Sequence, residues 1–242
     1  MDIMIKDLIK NNIKKMNYGL RDNWHYWKTS AGNMILFKEL GALLPKYCKG
    51  KVLDAGAGNL LYKKVLTKYT ADYESMDFER THPGLTYVAD IQNMLEINSG
   101  RYDFVFSRNV LEHVPNPTKA VSEISRVLKD GGYAVITVPY LGYLHNEPHD
   151  YWRFTKYSLK KIIEENRLEV VEIKELGGLL AFKGYIFQTI FLGLTYNIPG
   201  INKLTFWINF VIQRCLLTLD KFFGMKKIFP LSYLIVVRKT TI

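Results

Sequence analysis

The 242-residue sequence predicts an α/β fold with a doubly wound, mostly parallel sheet and a helical insert before the last strand. Three observations carry this expectation. Between about residues 50 and 140, short apolar runs alternate with stretches of helical periodicity, the rhythm of strand–helix–strand units. The run "YAVITVP" is apolar at nearly every position, as in a strand covered on both faces. Finally, residues 179–229 are strongly apolar and aromatic, and they separate two strand-like runs.

In chain order, residues 1–45 form an N-terminal helical region. Its opening "MDIMIKDLIKNNIKKM" places Ile5, Leu8, Ile9, Ile13 and Met16 on one side of a helix. It lacks the unbroken apolar core and the cleavage site of a signal peptide. The core, 46–178, starts with the strand "KVLDAG", followed by Leu61, Val65, Leu66 and Tyr69 at helical spacing. "DYESMDF", "TYVADI" and "YDFVFSRNV" read as the next three strands. In "NPTKAVSEISRVLKDGG", Asn116 caps a helix, Pro117 fits its first turn and Gly131 stops it. "YAVITVP" is a fifth strand, and "SLKKIIEENRLEVVEIKEL" adds a helix and another strand. The insert 179–229 follows, broken at Pro199–Gly200, and "SYLIVVRK" within 230–242 is the last strand.

The net charge of +10 is concentrated at two places. Residues 1–30 hold six Lys/Arg against three Asp, and residues 179–229 hold six against one. Two cysteines, Cys48 and Cys215, cannot build a disulfide framework or a Cys-based zinc site, and they read as inert thiols of a cytoplasmic protein.

The stretch "VLDAGAGNL", 52–60, raises the chemical question. Gly56 and Gly58 allow a ligand to approach the backbone where a Cβ would obstruct it. A dinucleotide fingerprint would need glycine at position 61, where Leu61 stands. Asp54 instead suits a ligand with a positive group near the strand tip. Asp77 closes the second strand, where a carboxylate can accept ribose hydroxyls. Asp90 follows the third strand, placed to accept from an exocyclic amine, with Ile91 to lie on a purine. A cation, a ribose and an adenine together describe S-adenosylmethionine.

At these residues the sequence resembles class I S-adenosylmethionine-dependent methyltransferases, of the type 11 branch that includes quinone-biosynthesis methyltransferases. "VLDAGAGN", "SMDFE", "VADIQNML", "YDFVFSRNVLEHVPNP" and "ISRVLKDGGYAVITVP" occur in family order, over roughly 50–140. The resemblance implies a Rossmann-like fold and a cofactor site with Asp54, Gly56 and Gly58 at the methionine end. It places Asp77 at the ribose, with Glu79 able to share that role, Asp90 and Ile91 at the adenine, and Asn109 at the pocket border. Leu60 departs from the family, which usually has a third glycine there. His113 in "LEHV" is a candidate general base, although the family more often uses such a histidine for packing or bonding near the cofactor.

"PYLGYLHNEPHDYWRFT", 139–155, follows the fifth strand and would overlook the transferred methyl group. His145, His149, Trp152 and Arg153 are candidates for substrate contact or a lid, His149 also for catalysis. The other reading is a structural bond network. Pro148 argues against a regular helix carrying His145 and His149, so no metal site is expected. A similar "HDYWRFT" occurs in methyltransferases resembling those of bacterial cell-surface glycan pathways.

Within the insert, Ile201, Leu204, Ile208, Val211, Cys215 and Leu219 form one stripe, and Phe206, Trp207 and Phe210 widen the apolar surface. The expectations are peripheral contact with the inner face of a membrane, or a helical cap packed on the core or on a second subunit in a homodimer through 179–229. The expected function is methyl transfer to oxygen or nitrogen of a small-molecule, glycan or lipid-linked acceptor. The alternatives are a non-catalytic S-adenosylmethionine-binding module and an RNA methyltransferase. Nucleic acid is disfavoured because "SRNV" lacks the N/D-P-P-Y/F motif of base-amine methylation, and the basic residues lie among apolar helices.

Overall fold

The computed structural model describes residues 7–9, 11–13, 15 and 30–241. Ile5 and Met16 of the N-terminal stripe lie outside them. The chain divides into two compact units, 1–39 with 175–231, and 40–174 with 232–242. The division falls twice within an element: in α1 (Ala31–Tyr47), after Glu39, and near the end of the sixth strand.

The larger unit is built on seven strands: β1 (Lys51–Ala55), β2 (Asp72–Asp77), β3 (Tyr87–Val88), β4 (Tyr102–Arg108), β5 (Leu128–Pro139), β6 (Leu168–Leu176) and β7 (Ser232–Lys239). Their order is β3-β2-β1-β4-β5-β7-β6. β1 to β5 pair in parallel, and β7 lies antiparallel to β5 with Ile136 opposite Ile235. The strand order reverses between β1 and β4, and an open sheet of this kind binds ligands in the crevice at that switch point.

Val52, Leu53, Phe104, Val105, Phe106, Val135 and Ile136 are fully buried, which explains why these strands read as unbroken apolar runs. Helices α2 (Lys63–Leu66), α3 (Pro117–Val127) and α4 (Lys156–Glu164) complete the unit. Asn116 caps α3 by accepting from Lys119 N at 3.0 Å, and Pro117 opens it. Ala120, Val121, Ile124 and Val127 turn into the core. The helix ends earlier than its glycine suggests: Leu128 already pairs with Tyr102 on β4, and Gly131, at φ +76°, turns the chain inside the strand segment. The expected helix after β1 shrinks to the four residues of α2.

Polar groups fix the lower ends of the strands. Glu74 on β2 accepts from Arg101 (2.7 Å), Tyr102 (2.5 Å) and Tyr87 (3.1 Å) and pairs with Lys51 at 2.7 Å. Burial opposes its charge, yet these donors hold its pKa down at about 2. Arg126 on α3 donates to the Met94 and Ile97 carbonyls, pinning the segment after Asp90.

In the smaller unit the insert forms two helices, α5 (Leu179–Thr195) and α6 (Ile201–Phe222). They are antiparallel: Thr195 meets Thr205, Gly184 meets Gln213, and Leu180 and Ala181 meet Asp220. The expected stripe from Ile201 to Leu219 is exposed rather than buried, because Thr205, Asn209, Gln213 and Asp220 occupy the inner face. Among the described residues, no helix is long and apolar enough to cross a membrane. Cys48 is buried, which pushes its thiol up to about 12, whereas Cys215 is exposed.

Candidate active site

The carboxyl ends of β1 to β5 bring the cofactor candidates to one edge of the sheet. Asp54, inside β1, is 2% exposed, and its Oδ2 accepts from the Tyr73 hydroxyl at 2.8 Å. Burial raises its pKa to about 7, partly offset by the Tyr73 bond. The bonded oxygen is committed within the sheet.

The glycine loop is held by β2. Gly56 N and Ala57 N both donate to the Met76 carbonyl at 2.9 Å. Asp77 Oδ2 accepts from Gly58 N at 2.7 Å, and Thr81 donates to the Gly58 carbonyl at 2.6 Å. Gly58 adopts φ +52°, and a Cβ there would point into open space. Gly56 differs. At φ +82° its added Cβ would strike the Val110 side chain, so the close approach that demands glycine comes from the protein itself. Leu60, where the family favours glycine, sits at φ +58°, a left-handed conformation costing a side-chain-bearing residue about 1–2 kcal/mol.

Asp90 is exposed and accepts from Gln92 N at 2.8 Å, a local turn that directs the chain to buried Ile91. Asn109 is also left-handed, at φ +52°, and its Oδ1 accepts from Thr137 at 3.0 Å, tying the end of β4 to β5. Each carboxylate keeps acceptor capacity beyond its protein bonds. The open space at Gly58, beside Asp77 and exposed Asp90, leaves room for an adenosyl ligand, while Ile91 is buried in the core. Glu79 lies on the exposed turn after β2.

Past Asn109, the 3-10 turn Leu111–His113 carries the group that sequence reasoning missed. Glu112 is fully buried, and neither of its carboxylate oxygens has a hydrogen-bond partner. Burial raises its pKa to about 8, although Arg108 and Arg153 act in the opposite direction. An acid beside a histidine in "LEHV" was visible; its burial was not. His113 Nδ1 lies 2.5 Å from the His149 carbonyl, which selects the tautomer with the proton on Nδ1. Nε2 is then an acceptor, 3.7 Å from Glu112 Oε1. Burial lowers the His113 pKa and favours this neutral form.

The segment 139–155 folds over this turn. Tyr151 N and Trp152 N donate to the Glu112 carbonyl, and Trp152 Nε1 donates to the Val114 carbonyl at 3.0 Å. Arg153 makes a two-pronged bond to Asp150 (2.6 and 2.9 Å) and also holds the Tyr143 carbonyl. Asp150 accepts from His145 N at 2.9 Å. Trp152 and Arg153 are thus engaged in the structural network of this segment. His145 stands edge-on to His113, with ring centres 4.8 Å apart, whereas the His149 ring faces the Tyr151 hydroxyl at 3.0 Å. Among the described residues, Glu112, His113 and His145 each offer a ligand atom within 4.8 Å of the others, so these three, rather than His145 with His149, form a set able to share a proton or a cation.

Residues 23–173 match the methyltransferase-domain family. Ubiquinone biosynthesis O-methyltransferase of Burkholderia pseudomallei (strain 1710b) is 25% identical over 154 residues, 51% of this chain. The chain spans 66% of that relative's length, just under two thirds. The protein of the same name from Coxiella burnetii (strain RSA 331 / Henzerling II) is 25% identical over 183 residues, 61% of this chain and 78% of its own. Among solved structures, a SAM-dependent methyltransferase from Archaeoglobus fulgidus aligns with a TM-score of 0.56 at 19% identity, covering 85% of this chain and 94% of that one. A Haemonchus contortus phosphoethanolamine N-methyltransferase, in complex with S-adenosylhomocysteine, aligns with a TM-score of 0.56 at 16% identity, covering 85% and 52%. These structures share the fold. With a family match over more than half its length, on a seven-stranded, mostly parallel sheet, the chain belongs to the methyltransferase-domain family.

Proposed function

We propose that the protein methylates a hydroxyl oxygen of a small-molecule acceptor, with His113 as the base that receives the hydroxyl proton. The observation that carries this reading is the His113 ring: Nδ1 is fixed on the His149 carbonyl, and Nε2 is left as a neutral acceptor. A hydroxyl must lose its proton as it attacks, and a positioned base assists that step by roughly 10²–10⁴-fold. S-adenosylmethionine supplies an electrophilic methyl group on its sulfonium. The chain's own contribution is to hold acceptor and donor in line, which can supply much of the rate. Asp77 and Asp90 hold the adenosyl end, and Asn109 borders the reacting region. His145 sits beside His113 and can share the proton it accepts.

The relatives named as O-methyltransferases support oxygen over nitrogen and a small molecule as acceptor. A glycan or lipid-linked hydroxyl presents the same chemistry.

Cell extract supplied with methyl-labelled donor, followed by product analysis, tests the reading. An ether product, with turnover reduced at least ~100-fold in His113→Ala and donor affinity preserved, is the expected result. A labelled amine product, or a His113→Ala enzyme of undiminished rate, would refute it.

A further inference from the structure

The hairpin of α5 and α6 is polar inside and apolar outside. Between the helices, Gln213 donates to the Gly184 carbonyl at 2.8 Å and to Asn209 at 3.2 Å, and Thr195 meets Thr205 at 3.2 Å. Asp220 accepts from Leu180 N (2.9 Å) and Ala181 N (2.6 Å), capping α5 from the opposite helix. Small residues set the spacing. A Cβ on Gly184 would come within 2.6 Å of Leu216, and one on Gly178 within 2.6 Å of the Asp220 carboxylate. The large apolar side chains face the other way: Phe187 is 50% exposed, Leu204 62%, Trp207 69%, Val211 49% and Phe222 82%.

In water the hydrophobic effect would turn such residues inward. Small and polar residues between helices, with apolar residues around them, is the arrangement of helices that pack in lipid. We propose that this outer face binds an anionic lipid bilayer, lying in the headgroup region of one leaflet without crossing it. Neither helix is long and apolar enough to cross.

Charge decides the occupant. Lys183, Lys203, Arg214, Lys221, Lys226 and Lys227 are all exposed, and Asp220, the one acid of 179–229, is buried in the helix cap. A second copy would bring the same cations and no exposed acid from this segment, so two such faces repel. An anionic surface is complementary. Exposed Trp207 and Phe222, with lysines among them, match a helix lying in the interface plane. This inference is independent of the acceptor and of His113.

The test is co-sedimentation of the full chain with vesicles of phosphatidylcholine alone or mixed with phosphatidylglycerol. Binding is expected to be strong with the mixed vesicles, weaker with the neutral ones and reduced by high salt. Trp207→Glu should lower partitioning at least ~10-fold, and Lys226→Glu with Lys227→Glu by about fivefold or more per charge removed. Circular dichroism and donor binding confirm that each variant is folded, and the lysine pair, fully exposed, serves should Trp207→Glu misfold. Protein that stays in the supernatant with both vesicle types overturns the proposal. So does binding that none of these substitutions weakens, or a stable dimer whose dissociation follows Trp207→Glu while vesicle binding is absent.

Discussion

The Asp77 carboxylate and the Gly58 amide are joined by a 2.7 Å hydrogen bond, so the residue expected to hold the ribose also fixes the loop that the ligand must approach. Two roles in one side chain separate by substitution. Asp77→Asn keeps an acceptor for Gly58 N but loses the charge and turns an NH2 towards Phe78 N, from which Asp77 Oδ1 accepts at 2.8 Å. Asp77→Ala loses the charge and both acceptors. Each hydrogen bond to a charged group contributes about 1.5–3 kcal/mol, roughly a 10- to 100-fold change in affinity. Calorimetric titration with S-adenosylmethionine should rank the proteins as wild type, Asn, then Ala. Equal affinity for all three would move the ribose to Glu79.

Gly56 and Val110 make a second pair. The steric conflict of a Cβ at Gly56 is with Val110, so Gly56→Ala should lower thermal stability as well as donor binding. The left-handed backbone adds about 1–2 kcal/mol. Val110→Ala in the same protein should restore part of the melting temperature. A double variant no more stable than Gly56→Ala alone would show that Val110 is not the obstacle.

Glu112 predicts a pH dependence of stability. Its folded pKa is raised to about 8 from an ordinary 4.5, so the native state holds the proton more tightly than the unfolded chain. The group's contribution is fully present below about 4.5 and is lost as pH rises towards about 8, with a slope of up to about 1.4 kcal/mol per pH unit. Asp54, raised to about 7, adds the same sign, so the comparison must be with Glu112→Gln. Urea unfolding across this window should give a flatter profile for the variant. Parallel profiles would mean that Glu112 is as easily ionised folded as unfolded.

Arg153 and Asp150 give the opposite sign. The Arg153 bonds hold the Asp150 pKa at about 2, below its ordinary 3.8, so their contribution is present above 3.8 and lost as pH falls through about 2. Arg153→Met removes the two charged bonds to Asp150, a loss of about 1.5–3 kcal/mol, while His145 N stays as a donor. The cost should fall on residues 139–155. Hydrogen exchange should accelerate at the amides of His145, Tyr151 and Trp152 while the amides of β1 and β4 stay protected. Uniform acceleration would make the pair a support of the whole domain.

The strands were legible because burial on both faces leaves an unbroken apolar signature, as at Val52–Leu53 and Val135–Ile136. Asp54, Asp77 and Asp90 were legible as strand-end acids, since strand ends can be located from local pattern. Gly56 was singled out from the sequence, but the steric reason for its glycine involves Val110, a contact that only the fold creates. Glu112 was passed over for the same kind of reason: nothing in "LEHV" tells which side chain turns inward. In α6 the apolar stripe was found with its orientation open, and the inner face went to Asn209, Gln213 and Asp220 because α5 supplies their partners. Gly131 looked like a helix stop, yet strand pairing had claimed Leu128 first.

The place of β7 in the sheet has a consequence for the order of folding. It is flanked by β5 and β6, yet it follows both of them and the helical hairpin in the chain. As the polypeptide leaves the ribosome, the gap between β5 and β6 stays open until Ser232–Lys239 has emerged, and by then α5 and α6 are already outside the exit tunnel. The hairpin's greasy face is therefore available for capture before the catalytic sheet is complete. Closing the gap brings Val135 and Val236 into register across about a hundred residues of intervening chain, a long-range pairing of the slow kind.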